Sequence, residues 1–209
     1  DFFLDEDDFG NNVNINDNND QEEIFQDPEY NENNGDNDGE ANNDMDEYTV
    51  RIFGLDNAGK STLMMNLINP KEGNVAEITE DFNADTFVYN NAKINFWDIA
   101  GRKDNREYWK SYFHSSDGFI YVVDISDTGR LNEAKTTLHS LILTEDNEGI
   151  PLLIYANKAD KLSKMLDKNE VLNLLGVKSS DNVAVQVCSA KTFKGLVEGF
   201  DWLFNKIKL

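Results

Sequence analysis

The chain has 209 residues, of which 40 are acidic and 19 are basic, so its formal net charge at pH 7 is −21. This balance argues against a nucleic-acid-binding protein, because such proteins gain affinity from basic side chains that displace counterions from phosphates. No run of apolar residues approaches the length of a membrane-spanning helix. The single cysteine, Cys188, fits a reducing compartment and is interpreted as a small buried residue of a strand.

The charge is unevenly distributed along the chain. Residues 1–47 hold 18 Asp or Glu and 12 Asn but no Lys or Arg, whereas residues 48–209 hold 22 acidic and 19 basic side chains. We therefore predict two regions: an acidic, Asn-rich tail over 1–47, and one folded domain over 48–209 that is long enough to bury a core.

The composition of the tail leaves two interpretations open. Such a segment repels itself and holds few apolar residues, so it is disordered when it is alone. Alternatively, a protein partner binds the Phe and Leu residues in pockets while its basic groups meet the acids. Anionic lipid repels an acidic segment, so we expect no direct membrane anchor in this stretch.

From residue 48 onward, short apolar runs alternate with longer amphipathic stretches. This alternation favours an α/β fold with a largely parallel sheet and helices on both faces. The predicted strands cover residues 48–53, 84–89, 93–98, 118–124, 151–157 and 183–188. The predicted helices cover residues 60–68, 103–113, 130–145, 167–175 and 193–207.

A phosphate-binding motif follows the first strand. Residues 54–62 read GLDNAGKST and match the pattern G-x-x-x-x-G-K-[ST]. Glycines let the backbone N–H groups point at phosphate oxygens, Lys60 is placed to bridge the β- and γ-phosphates, and Ser61 is placed to bind Mg²⁺. The predicted nucleotide-binding residues of this loop are Asp56, Asn57, Ala58, Gly59, Lys60, Ser61 and Thr62.

A second motif, Asn157-Lys158-Ala159-Asp160, ends a buried strand about 100 residues later. A carboxylate at Asp160 can accept two parallel hydrogen bonds from guanine, which adenine cannot supply in that arrangement. We expect Lys158 to lie along the base and Asn157 to brace the pocket. A loop after the next strand adds a candidate contact from the Ala190 N–H to guanine O6; its predicted binding residues are Ser189, Ala190 and Lys191. An ATP-using protein is the alternative that Asp160 opposes.

These motifs, with Trp97-Asp98-Ile99-Ala100-Gly101 between them, resemble those of small Ras-like GTPases of the ADP-ribosylation-factor-like (Arf-like) family over residues 48–209. The stretch 106–113 is similar to the subgroup linked to lipidated-cargo release, tubulin folding and cilia. The resemblance implies a P-loop small-GTPase fold with a six-stranded, mostly parallel sheet. It also implies GTP or GDP with Mg²⁺ as cofactors, and two switch segments that contact a protein effector.

The resemblance also assigns roles to residues of the two switches. Asp98 is expected to hold Mg²⁺ through water, and the Gly101 N–H to contact the γ-phosphate. Thr79 is expected to reach Mg²⁺ from the first switch; because its surroundings depart from the family pattern, an exposed loop Thr is the alternative. Trp109, Tyr112 and Phe113 are interpreted either as an effector-facing patch or as core.

Arg102 is the largest departure from the family pattern. It stands where the family has a Gln that orients the attacking water, and a guanidinium offers no hydrogen-bond acceptor. Arg102 either contacts the γ-phosphate or points away, and in both cases we expect weak or absent hydrolysis.

Two functions follow from these observations. The first is a GTP/GDP-binding Arf-like switch protein with slow hydrolysis, and the second is a structural, nucleotide-locked subunit docked through its tail. The subgroup resemblance places the protein in the cytoplasm or the cilium, and mitochondrial import remains open.

Overall fold

A computed structural model describes residues 45–70 and 79–209. The acidic tail up to residue 44 and residues 71–78, which directly precede Thr79 of the predicted first switch, lie outside the described residues.

The described residues form a single six-stranded sheet with the strand order β2-β3-β1-β4-β5-β6. Strand β2 pairs with β3 in the antiparallel sense, and the other four pairings are parallel. This confirms the predicted six-stranded, mostly parallel sheet. The strands are β1 (Glu47–Phe53), β2 (Phe82–Tyr89), β3 (Ala92–Ile99), β4 (Gly118–Asp124), β5 (Leu152–Asn157) and β6 (Val183–Val187).

Within the described part of the chain, four α-helices connect or flank these strands: α1 (Lys60–Ile68), α2 (Leu131–Thr137), α3 (Lys168–Leu175) and α4 (Leu196–Ile207). A π-helical turn, Leu138–Ile142, continues α2. Short 3₁₀ helices cover Lys103–Tyr112, Glu145–Asn147 and Ala159–Lys161. Among the described residues, no helix combines the length and the apolar character that crossing a membrane requires.

Buried side chains lie on both faces of the sheet, because successive residues of a strand point to opposite sides. In β4, Ile120 and Val122 join the core beneath α1 and α4, which includes Leu63, Phe200 and Leu203. Phe119, Tyr121 and Val123 join the core on the other face, which includes Trp109, Leu138 and Leu175. Helices therefore cover both faces, as predicted.

The structure corrects several predicted boundaries. The stretch 103–112 is a 3₁₀ helix, and the predicted helix 130–145 is split into α2 and the π turn. Helix α4 begins at Leu196, because Phe193 and Gly195 have φ angles of 63° and 76°, which an α-helix does not contain. Strand β2 begins two residues before the predicted start.

Candidate functional site

The predicted motifs meet at one edge of the sheet. Strands β1, β3, β4, β5 and β6 are parallel, so their carboxyl ends share an edge. The loops that follow β1, β3, β5 and β6 carry residues 54–59, 100–102, 158–160 and 188–191. In open α/β sheets, ligands bind in the crevice outside these ends.

The loop after β1 has a backbone that only glycine fits at two positions. Gly54 has φ 142°, and a Cβ added there would collide with the Val122 carbonyl. Gly59 has φ 94°, and an added Cβ would meet Asn157 Nδ2 at 2.5 Å. The loop therefore turns tightly against β4 and β5 and ends at the N-terminus of α1, where free N–H groups favour a phosphate.

Lys60 is buried at the start of α1, with 6% of its surface exposed. Its Nζ donates to the Leu55 carbonyl at 3.2 Å, inside the loop. Burial lowers the pKa of Lys60, and the nearby carboxylates of Asp98 and Asp56 oppose that shift by favouring the charged form. The ammonium is thus held in the phosphate loop, where a polyphosphate would add further negative charge.

Three oxygen-bearing side chains from different segments converge beside Lys60. The Ser61 Oγ lies 2.5 Å from Asp98 Oδ2 and 3.0 Å from Thr79 Oγ1, and the Thr79 Oγ1 lies 3.1 Å from Asp98 Oδ2. Asp98 is fully buried, and its Oδ1 has no hydrogen-bond partner.

Hydroxyl and carboxylate oxygens are the donors that Mg²⁺ prefers. The unpartnered Asp98 Oδ1 leaves an acceptor for a Mg²⁺-bound water, so the residues present fit the ion. In the part of the chain that the structure describes, no group of three or more His, Cys, Asp or Glu side chains forms a competing metal site.

Asn157 joins the candidate base pocket to the phosphate loop. Its Nδ2 donates to the Ala58 carbonyl at 2.9 Å, and its Oδ1 accepts from the Ala190 N–H at 2.9 Å. Because the Ala190 N–H already donates to Asn157, a guanine O6 at this position would share or replace that bond.

Lys158 and Asp160 frame the same pocket. Lys158 has φ 64°, and its Nζ donates to the Asn57 carbonyl at 2.6 Å and to Asp124 Oδ2 at 2.9 Å. The Asp160 Oδ1 accepts from the Ser189 hydroxyl at 2.6 Å, which holds the carboxylate in one orientation. Lys191 is exposed at the rim of the loop.

The second switch lies close against the phosphate loop. The Gly101 carbonyl accepts from the Asp56 N–H at 3.1 Å and from Arg106 Nε at 2.8 Å. A Cβ added at Gly101 would collide with the backbone of Gly54 to Asp56, so only glycine allows this approach. Arg102 follows directly, and its side chain is exposed and forms no ion pair within residues 45–70 and 79–209.

Asp56 lies within an ion-pair network that no sequence motif predicts. Arg106, which is 8% exposed, contacts Asp56 Oδ1 at 3.4 Å and Glu133 Oε1 at 2.7 Å. Arg130 contacts Asp56 Oδ2 at 3.1 Å and Asp127 at 2.8 Å. No local sequence pattern reveals this network, because its members come from the phosphate loop, the 3₁₀ helix and the start of α2.

The aromatic residues of the second switch differ in how deeply they are buried. Trp109 is fully buried and Phe113 is 9% exposed, and both pack in the core against Phe53. The Trp109 Nε1 also donates to the Ala100 carbonyl at 3.0 Å. Tyr112 is half-buried and contacts the partly exposed Phe82. Trp109 and Phe113 are thus core residues.

The fold and the assembled motifs define a small GTPase. The chain belongs to the ADP-ribosylation factor family, whose model matches residues 40–207. It is 40% identical over 163 residues to ADP-ribosylation factor-like protein 2 of Arabidopsis thaliana, covering 77% of this chain and 88% of that protein. It is 37% identical to ADP-ribosylation factor-like protein 3 of Chlamydomonas reinhardtii, covering 78% and 92%.

A solved structure agrees with these relatives. The Arl6 BBS3 small GTPase of Trypanosoma brucei, with the bound nucleotide analogue GppNp, matches with a TM-score of 0.64 and 27% sequence identity. The match covers 78% of this chain and 98% of that chain. The protein is therefore a GTP-binding small GTPase of Arf-like type, and guanine nucleotide is its ligand.

Proposed function

We propose that the protein is a guanine-nucleotide switch that exchanges GDP for GTP with Mg²⁺ and hydrolyses GTP slowly, at or below about 10⁻⁴ per second. The observation that carries the proposal is Arg102, which stands where the family has the water-positioning Gln, while the phosphate loop and the Asn157-Lys158-Ala159-Asp160 motif are intact.

We assign the binding of nucleotide and Mg²⁺ to the residues that the structure brings together at the carboxyl ends of the strands. Lys60 and the backbone of residues 56–62 hold the phosphates, and Asp160 with Lys158 holds the base. Ser61, Thr79 and Asp98 would hold Mg²⁺, which neutralises phosphate charge when it is bound. The convergence of these three side chains within about 3 Å supports this assignment.

Slow hydrolysis follows from the chemistry of the guanidinium. The attacking water needs a neighbour that accepts one of its protons in a hydrogen bond, and Arg carries five N–H donors and no acceptor. Arg102 can neutralise phosphate charge, but it cannot orient water by accepting a hydrogen bond. The Gly101 N–H would stabilise the γ-phosphate without supplying that acceptor.

The second candidate is a structural subunit that keeps one nucleotide permanently. Arg102 favours it, as do Glu80 and Asp81, which add two negative charges directly after Thr79 in the first switch. In that case the acidic tail would dock the domain within a larger assembly. The nucleotide would then stabilise the fold and would not signal.

Nucleotide exchange separates the two candidates. The full chain is loaded with fluorescent GDP and chased with excess GTP, with and without EDTA to remove Mg²⁺. A switch releases GDP, and does so faster once Mg²⁺ is removed, because an ion held by Ser61, Thr79 and Asp98 would neutralise phosphate charge and so strengthen nucleotide binding. Retention of the label under both conditions would contradict the switch and support the structural subunit.

Partners and location are proposed from the same assignments. An effector protein binds the two switch segments, and a second protein binds the acidic tail through basic groups. The subgroup resemblance supports a cytoplasmic or ciliary location.

A further inference from the structure

A hollow of about 600 Å³ lies at the edge of the sheet opposite the nucleotide site. It is found at the amino ends of β4, β5 and β6, whereas the phosphate and base loops follow the carboxyl ends of the strands. Two loops frame it, residues 143–150 before β5 and residues 180–182 before β6. Its volume is typical of small-molecule sites in proteins. We call it the Asn147 hollow.

The floor of the Asn147 hollow is apolar. The register places Phe119 beside Leu152 and Leu152 beside Val183, so these three side chains lie next to one another on one face of the sheet. Ile142, from the π-helical turn that continues α2, lines the hollow as well and packs in the same core. The apolar part of a ligand would lose its contact with water on this floor.

Asn147 brings an unpartnered polar atom to the hollow. The side chain is 7% exposed, and its Nδ2 donates to the Ile142 carbonyl at 3.0 Å. The Leu141 carbonyl and Thr144 Oγ1 each lie 3.3 Å from the same nitrogen, so three acceptors fix the orientation of the amide. The Oδ1 points away from them, is buried and has no hydrogen-bond partner. A buried acceptor without a partner is costly, and a donor supplied from the hollow would remove that cost.

The loop around Asn147 is held by its own backbone but is open at its outer end. The Asn147 N–H donates to the Thr144 carbonyl at 3.1 Å, and the Ile150 N–H donates to the Asn147 carbonyl at 3.2 Å. Gly149 has φ 92°, and a Cβ added there would meet no atom within 4 Å. Because the Asn147 Oδ1 is covered, a ligand donor reaches it when this outer end of the loop moves.

The rim of the hollow is acidic. Glu145 and Glu148 line it, are exposed and form no ion pair within residues 45–70 and 79–209. None of the described residues that line the hollow is basic. Two carboxylates and one unpartnered acceptor are complementary to a positively charged group with several N–H donors.

We propose that the Asn147 hollow is a second ligand site, and that it binds a small organic cation. An ammonium or guanidinium group of the ligand lies near Glu145 and Glu148 and donates one hydrogen bond to the Asn147 Oδ1. The apolar body of the ligand rests on the floor. The chain's own tail, with 18 acidic and no basic residues, has the wrong charge to fill the hollow. The proposal goes beyond the switch function and does not depend on it, because no residue of the nucleotide motifs lines the hollow.

Tryptamine is the probe, because it carries a primary ammonium on an aromatic body. Tryptophol, which has a hydroxyl in place of the ammonium, is the neutral match. The full chain, labelled with ¹⁵N and loaded with GDP and Mg²⁺, is titrated with each compound and followed by NMR. We expect tryptamine to bind with a Kd below about 1 mM and tryptophol to bind at least about 5-fold more weakly, because it forms no ion pair. The signals expected to shift are the amides of residues 142–152 and 180–183 and the side-chain amide of Asn147.

Variants of the rim and of the framing loops locate the bound cation. Glu145→Gln and Glu148→Gln are each expected to weaken tryptamine binding about 3-fold, since an exposed carboxylate contributes modestly. Asp146→Asn, an exposed change between them that does not line the hollow, is the matched control. Ser180→Trp is expected to fill the hollow and abolish binding, whereas Ser179→Trp, an exposed change outside the lining, should not.

The proposal is overturned by any of three results. The first is equal affinity for tryptamine and tryptophol, which would remove the role of the charge. The second is unchanged tryptamine binding in both glutamate variants and in Ser180→Trp, which would place the cation elsewhere, for instance on the acidic tail. The third is a shift of the same signals by a Lys-rich peptide but not by tryptamine, which would make the hollow a protein-docking surface. Retention of GDP by every variant shows that each one is folded.

Discussion

Asp160 is the residue on which we propose that the selectivity for guanine depends. Its carboxylate accepts a hydrogen bond from the Ser189 hydroxyl, and Asp160 lies in the short 3₁₀ helix Ala159–Lys161 that follows β5. Guanine offers two donors, N1–H and the exocyclic amine, to the two oxygens of one carboxylate.

The variant Asp160→Asn presents one acceptor and one donor in the same place. We expect a loss of GTP affinity on the order of 100-fold, because two charge-assisted hydrogen bonds are replaced by one neutral bond and one mismatch. Xanthosine triphosphate, which has an oxygen in place of the amine, is expected to bind the variant better than GTP does. Competition with fluorescent GDP measures both affinities.

The exposed Asp146→Asn is the matched control and should leave affinity unchanged. Unaltered GTP affinity in Asp160→Asn would show that the base is held elsewhere.

At the scale of an element, the 3₁₀ helix 103–112 is the feature that ties the second switch to the phosphate loop. Arg106 bonds the Gly101 carbonyl, Asp56 and Glu133, and Trp109 bonds the Ala100 carbonyl. These bonds fix the peptide groups that precede Arg102. They also connect the helix to α2 through Glu133.

We expect Arg106→Gln to lower the free energy of unfolding by about 2 kcal/mol, because buried acceptors and two carboxylates lose a charged donor. Urea-induced unfolding followed by tryptophan fluorescence measures the change. Lys110→Gln, an exposed change on the same helix, should have little effect. If both variants unfold at the same urea concentration, the network contributes nothing to stability.

The sequence predicted where helices and strands occur better than it predicted the type of each helix and the residues at which each element begins and ends. The apolar spacing of Trp109, Tyr112 and Phe113 suits a 3₁₀ helix as well as an α-helix, so periodicity alone cannot separate them. The start of α4 was misplaced because Phe193 continues the apolar pattern while its backbone is left-handed.

The sequence identified those parts of the candidate site whose residues are contiguous in a motif. The phosphate loop and residues 157–160 are contiguous, so spacing alone brings their residues together. The Asp56 network joins segments that are distant along the chain, and only the packing of the fold reveals it.

At the scale of the whole molecule, the excess negative charge and the nucleotide site belong to different regions. The tail holds 18 of the 40 acidic residues and no basic ones, whereas every described contact of the site lies after residue 53. The charge of the tail is therefore expected to act on partners and not on nucleotide binding.

A chain that begins at Met45 tests whether nucleotide binding is independent of the acidic tail. It keeps β1 and the bond from the Lys93 N–H to the Asp46 carbonyl, so the sheet should remain intact. We expect its GDP affinity to equal that of the full chain in a fluorescence titration. Loss of GTP or GDP binding upon removal of the tail would contradict the division.

The central claim is a GTP-binding switch whose hydrolysis is limited by Arg102, and single-turnover hydrolysis of bound GTP tests it most directly. The wild type is measured beside Arg102→Gln, with the neighbouring exposed Lys103→Gln as control. We predict a wild-type rate at or below about 10⁻⁴ per second and a faster Arg102→Gln, because the amide restores an acceptor for the attacking water. A wild type that hydrolyses GTP faster than Arg102→Gln would contradict the account.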